Sequence, residues 1–113
     1  MIRVNLYEDQ DGLCGFLCEG HAGYAEVDEI DVVCAGVTSI AATTVTALED
    51  ILGLEVDSDF REGSLYCSIL NITDDKKEQV ELLLRSFEIG CKQIEFSYGS
   101  DYVQVSPKTV KIK

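Results

Sequence analysis

The sequence predicts an α+β domain, with two helices packed on a mostly antiparallel sheet of about five strands in the order β-β-α-β-β-α-β. Three observations predict it. Four segments alternate polar and apolar residues with a period of two and fall into two hairpin pairs. Two longer segments switch to helical spacing. No linker or internal repeat interrupts the succession. With 113 residues, 46% of them apolar, the chain is long enough for one hydrophobic core and too apolar for disorder.

Residues 2–8 set Ile2, Val4 and Leu6 against Arg3, Asn5 and Tyr7, the pattern of a half-buried strand. Asp9-Gln10-Asp11-Gly12 signals a turn. Residues 13–20 form the second strand, with Cys14, Phe16 and Cys18 on one face. Gly20 to Asp28 holds two glycines and two carboxylates without a period, and reads as a mobile loop. From Asp31 to about Leu52 the spacing is helical, through Val37, Ala41, Thr44, Leu48 and Ile51. Asp31 suits the N-cap and Gly53 signals the end. This helix carries no Lys or Arg and is expected to be buried on more than one side. Residues 54–71 form the second hairpin around Arg61-Glu62-Gly63. A second helix over about 74–96 has the stripe Val80, Leu84, Phe87, Cys91 and Ile94. Leu82 and Ile89 lie off that stripe, where they can serve a subunit interface. A last strand runs from Tyr102 to about Ser106, followed by Pro107 and a short basic tail.

No apolar run reaches the ~20 residues of a membrane span. The first residues read as a strand rather than a signal peptide, so a cytoplasmic location is expected. A formal charge of −12 weighs against nucleic acid, whose phosphates need Lys and Arg. It suits a basic protein partner. The five cysteines are an odd number, and with no secretory signal a disulfide scaffold is not expected. Cys14, Cys18, Cys67 and Cys91 read as small buried hydrophobes.

Cys34 differs. With Asp31 as N-cap it is the third helical residue, where free amides and the helix dipole favour a thiolate. Small residues, Ala35 and Gly36, follow it and would let a peptide backbone approach. His21 is the only histidine, so it alone can supply an imidazole base to Cys34. A metal site from Cys14, Cys18, His21 and Cys34 is the competing reading. Cys14 and Cys18 lie ~13 Å apart at ~3.3 Å per strand residue, too far for one tetrahedral ion, so no metal or other cofactor is expected. No G-x-S-x-G elbow and no Gly-rich phosphate loop are present.

Gly20-His21-Ala22-Gly23, a short acidic loop, then Asp31-Val32-Val33-Cys34-Ala35 leading into a small-residue helix resembles the Prp family. These are bacterial ribosomal-processing cysteine proteases and include the YsxB-like proteins. The resemblance covers the chain in length and element order. It implies that residues 1–113 form a single cysteine-protease domain acting as a homodimer without a cofactor. Its implied substrate is the N-terminal extension of large-subunit ribosomal protein twenty-seven. Carried over, Cys34 matches the nucleophile, His21 the family histidine, Gly20 and Gly23 the flanking glycines, and Asp31 the acidic residue before the cysteine. The sequence departs from the family pattern at Gly36, often alanine, and at Thr38, often serine; Thr38 keeps the hydroxyl. The resemblance leaves the third orienting residue of the site open, with Asp31 the candidate. A non-catalytic ribosome-assembly protein with an inert Cys34 is the alternative. The four carboxylates of Glu19, Glu26, Asp28 and Glu29 should repel one another, so the loop is expected to close His21 onto Cys34 only over a basic substrate.

Overall fold

The computed structural model describes residues 1–26 and 29–112. Strands β1 (Ile2–Asp9) and β2 (Gly12–Glu19) form the first hairpin, and helix α1 (Val32–Asp50) follows. Strands β3 (Val56–Arg61) and β4 (Ser64–Ile69) form the second hairpin. A short 3-10 turn at Asp74–Lys76 leads into α2 (Lys77–Tyr98), then β5 (Val103–Val105) and β6 (Val110–Lys111). The sheet order is β3-β4-β2-β1-β5, with β6 also on β1.

The topology explains the two-layer form. Because β4 is antiparallel to both β2 and β3, β2 and β3 run parallel and α1 is the crossover between them. In the same way α2 connects β4 to β5, which run parallel because both are parallel to β1. The two crossovers start from antiparallel strands and travel in opposite directions along the sheet. The same right-handed sense therefore lays both helices on one face, where they pack together.

The core lies between these layers. The sheet contributes Val4, Leu6, Phe16, Cys18, Cys67 and Val103; α1 contributes Val33, Val37, Ala41 and Leu48; α2 contributes Val80, Leu84, Phe87 and Cys91. Phe16 stacks on Phe87 with ring centroids 4.1 Å apart. The helices approach closely through paired glycines. A methyl added at Gly36 would lie 3.3 Å from Ile94, and one at Gly90 would lie 3.1 Å from Ile40. Gly36 therefore serves helix packing rather than substrate approach.

Five details differ from the sequence reading. The pairing register shifts between Tyr7 and Glu8, so Gly15 faces Tyr7, Leu13 faces Glu8, and Cys14 bulges out. Leu13 joins the main core cluster, while Cys14 stays buried beside it with its thiol 3.7 Å from the Tyr7 carbonyl oxygen. Ile51 is 75% exposed, because α1 ends at Asp50 and the chain turns before the stripe can continue. Leu52 packs on the core instead, and Gly53 at φ +65° lets Leu54 N–H donate to the Leu48 carbonyl at 3.1 Å. Helix α1 has an exposed face of Thr38, Ala42 and Thr46. It matches a membrane span in length and apolarity, yet its apolar stripe packs on the sheet and α2. The tail holds a sixth strand, β6, pairing Tyr7 with Val110. A two-residue strand is too short to show a period.

These packing assignments predict contrasting costs. Leu48→Ala should destabilise by about 2–5 kcal/mol, since it opens a cavity. Ile51→Ala should stay within about 0.5 kcal/mol, as an exposed change. Urea unfolding of both variants checks this.

Candidate active site

The end of β2, the start of α1 and the β3–β4 turn enclose a cleft of about 760 Å³. All six residues singled out from the sequence line it: Gly20, His21, Gly23, Asp31, Cys34 and Thr38. Ile2, Cys18, Phe60 and Leu65 add apolar lining, and Glu26, Glu29 and Glu62 add carboxylates. The cleft is thus apolar within and acidic around.

Asp31 organises one side. As the N-cap of α1, its Oδ1 accepts from the amides of Val33 and Cys34, each at 3.0 Å. Its Oδ2 accepts from Tyr24 N–H, also at 3.0 Å. One carboxylate therefore fixes Cys34 and ties the preceding loop to the helix. Both oxygens are engaged by backbone amides, so Asp31 does not orient His21. Burial works to raise the Asp31 pKa, but the amides of Cys34, Tyr24, Ala25 and Val33 outweigh it, and the net direction is downward.

The histidine segment is anchored residue by residue. Gly20 N–H donates to the Gly63 carbonyl at 2.9 Å. The Met1 amino group donates to the His21 carbonyl. Ala22 is buried, and its N–H lies 3.4 Å from Cys34 Sγ. The Tyr24 ring sits edge-on to Tyr98 and Tyr102, each centroid 5.1 Å away. Residues 20–24 are thus tied to neighbouring elements by contacts that the reading of a mobile loop did not include. That reading saw two glycines and scattered charge. It missed the anchors at Ala22 and Tyr24, whose partners are distant in sequence. Val27 and Asp28, part of the expected closing segment, lie outside the described residues.

The His21 side chain is exposed to the cleft and lies against Gly63. A methyl built on Gly63 would stand 3.0 Å from Nε2, and Gly63 has φ +80°. Glycine is needed there on both counts. The sequence marks Arg61-Glu62-Gly63 as a turn but carries no signal that it meets His21. Among the described residues no hydrogen bond joins the imidazole to Cys34 Sγ; the link between the two runs through the Ala22 amide.

Cys34 is set apart from the other thiols. It is half-buried and lines the cleft, while Cys14, Cys18, Cys67 and Cys91 are buried and unpaired. Burial pushes the thiols of Cys67 and Cys91 up to about 12, and raises Cys18 and Cys14 as well. Those four are poor nucleophiles at neutral pH.

The family model for cysteine protease Prp matches residues 1–104. The ribosomal processing cysteine protease Prp of Bacillus subtilis (strain 168) is 30% identical over 102 residues, covering 87% of this chain and 90% of that protein. Solved structures share the fold, two of them as follows. The essential ribosomal processing protease Prp from S. aureus, in complex with a covalently linked product peptide, has a TM-score of 0.77 at 20% identity, covering 99% of this chain and 100% of that one. SMU.848 from Streptococcus mutans has a TM-score of 0.73 at 26% identity, covering 99% and 96%.

The N-cap gives a test of the site's architecture. Asp31→Ala should cost about 0.5–2 kcal/mol. Asp31→Asn should remove the charge while leaving a capping oxygen. Because the folded state lowers this carboxyl, its contribution is complete above the ordinary carboxylate range and is lost as pH falls through the lowered value. The stability gap between wild type and Asp31→Asn should therefore narrow as pH falls from about 5 through the ordinary carboxylate range and below it, as read from denaturant midpoints.

Proposed function

The chain belongs to the Prp family of cysteine proteases, and we propose that Cys34 and His21 are its nucleophile and general base. One observation carries this assignment: the only partly exposed cysteine shares a cleft with the only histidine, and the residue after that histidine hydrogen-bonds its sulfur. His21 accepts the Cys34 proton, and Sγ attacks the scissile carbonyl carbon. The C–N bond breaks as the imidazolium protonates the leaving amine, and water then hydrolyses the thioester. Hydrogen bonds between nucleophile and base are often long in the free enzyme and tighten only with substrate.

The substrate in this reading is the N-terminal extension of large-subunit ribosomal protein twenty-seven, processed in the cytoplasm. The apolar interior and acidic surround of the cleft suit an extended peptide with apolar side chains from a basic protein. The name of the Bacillus subtilis relative, ribosomal processing cysteine protease, supports the same class of substrate. Gly20 and Gly23 supply the positive φ values, +104° and +69°, that bend the histidine segment. Thr38 places a hydroxyl-bearing side chain on the wall one helical turn beyond Cys34.

The protein acts in this reading as a homodimer through the outer face of α2. Leu82, Ile89 and Phe96 stand seven residues apart there and are exposed, Phe96 at 92%. An apolar stripe of this kind on a helix suits isologous pairing.

Two outcomes follow. Incubated with the extended ribosomal protein, wild type should release the N-terminal segment and Cys34→Ala should release none, by mass spectrometry. His21→Ala should be slower by about 10²–10⁴-fold. Cleavage by pure Cys34→Ala would refute the nucleophile. Light scattering should give a dimer mass for wild type at micromolar concentration and a lower mass for Ile89→Asp with Phe96→Asp; a monomeric wild type would refute the interface.

A further inference from the structure

The start of α1 has little to offer an anionic sulfur. The Val33 and Cys34 amides donate to Asp31 Oδ1, and the Ala35 amide donates to the Asp31 carbonyl. The Asp31 carboxylate also offsets the positive end of the helix dipole. The donor that reaches the sulfur comes from the histidine segment: Ala22 N–H, 3.4 Å from Sγ. Resting on the reading of Cys34 as nucleophile, we propose that the backbone amide of Ala22 holds the Cys34 thiolate.

The His21–Ala22 peptide unit is gripped at both ends. Its carbonyl accepts from the Met1 amino group, and its N–H points at Sγ. A peptide whose oxygen is hydrogen-bonded is polarised and donates more strongly. It is also preorganised. The Ala22 methyl is buried in the core, Gly20 N–H is fixed to Gly63, and Tyr24 N–H is fixed to Asp31. A donor that cannot turn away stabilises charge at no reorganisation cost. The His21 imidazole stays free for proton transfer, so the thiolate keeps a partner while His21 moves between sulfur and leaving amine.

Replacing the Ala22 N–H by an ester oxygen, through semisynthesis with L-lactic acid, tests this directly. The probe is exchange of Cys34 with a small neutral disulfide, 2,2′-dithiodipyridine, followed over pH; the other thiols are buried. Loss of a hydrogen bond to a charged group should cut the thiolate population about tenfold on the rising limb of the pH–rate curve. The more basic thiolate that remains should be about threefold more reactive, from a Brønsted slope of about 0.4–0.5. The expected result is a crossover: about threefold slower exchange on the rising limb and about threefold faster on the high-pH plateau. Unchanged limbs, or a uniform change in both, overturn the proposal. Should the ester protein not fold, NMR of the intact protein decides. The Ala22 amide proton should move with Cys34 ionisation, and that component should vanish in Cys34→Ala; no such component overturns the proposal. Disulfide exchange needs no peptide substrate, so this outcome is separate from cleavage. Cleavage without the crossover refutes the amide's role alone, and a crossover without cleavage refutes the protease assignment alone.

Discussion

The carboxylate of Asp31 is the constraint on which the cleft depends. One oxygen closes the first turn of α1 and the other holds the loop that carries His21. Cys34 and the histidine segment belong to elements separated by a loop, and each would be free to drift alone. A single side chain bonded to both fixes their relative position. Residues 20–24 then need few contacts of their own, and the buried Ala22 and the Tyr24–Tyr98–Tyr102 cluster supply them. The β3–β4 turn completes the arrangement by placing Gly63 beside the imidazole.

Charge distribution divides the labour inside the cleft. A helix N-terminus usually favours an anion, but the Asp31 cap already occupies this one. The sulfur is met by an amide from across the cleft instead. The carboxylates of Glu26, Glu29 and Glu62 stand around an apolar lining. Arg61, the one Lys or Arg among the described lining residues, pairs with Asp59 at 2.7 Å and so leaves the acidic character of the cleft little changed. The strong negative charge of the chain thus extends to the residues that line the site.

Much of this was legible in the sequence because its causes are local. Period-two and helical spacing gave both hairpins and both helices, and Asp31 as N-cap followed from a carboxylate standing where the helical spacing begins. The uniqueness of His21 and the contrast between Cys34 and four apolar-face cysteines pointed to the pair without any contact information. What stayed hidden was non-local. The bulge at Cys14, the packing of Gly36 on Ile94, Gly63 beneath His21 and the tyrosine cluster each join residues far apart in the chain. The second role of Asp31 was hidden for the same reason: a capping residue is read from its own helix, and Tyr24 lies outside it. The loop's anchors were missed because composition reports glycine and charge, whereas the anchors are hydrogen bonds to residues outside the loop.

Amide hydrogen exchange in the free protein tests the central claim most directly. If the Asp31 carboxylate joins loop and helix, the amides of Ala22, Tyr24, Val33 and Cys34 should be protected together, and all four should lose protection together in Asp31→Ala. Loss confined to Val33 and Cys34, with Ala22 and Tyr24 unchanged, would show that the helix is capped but the loop is held independently, and would contradict the account.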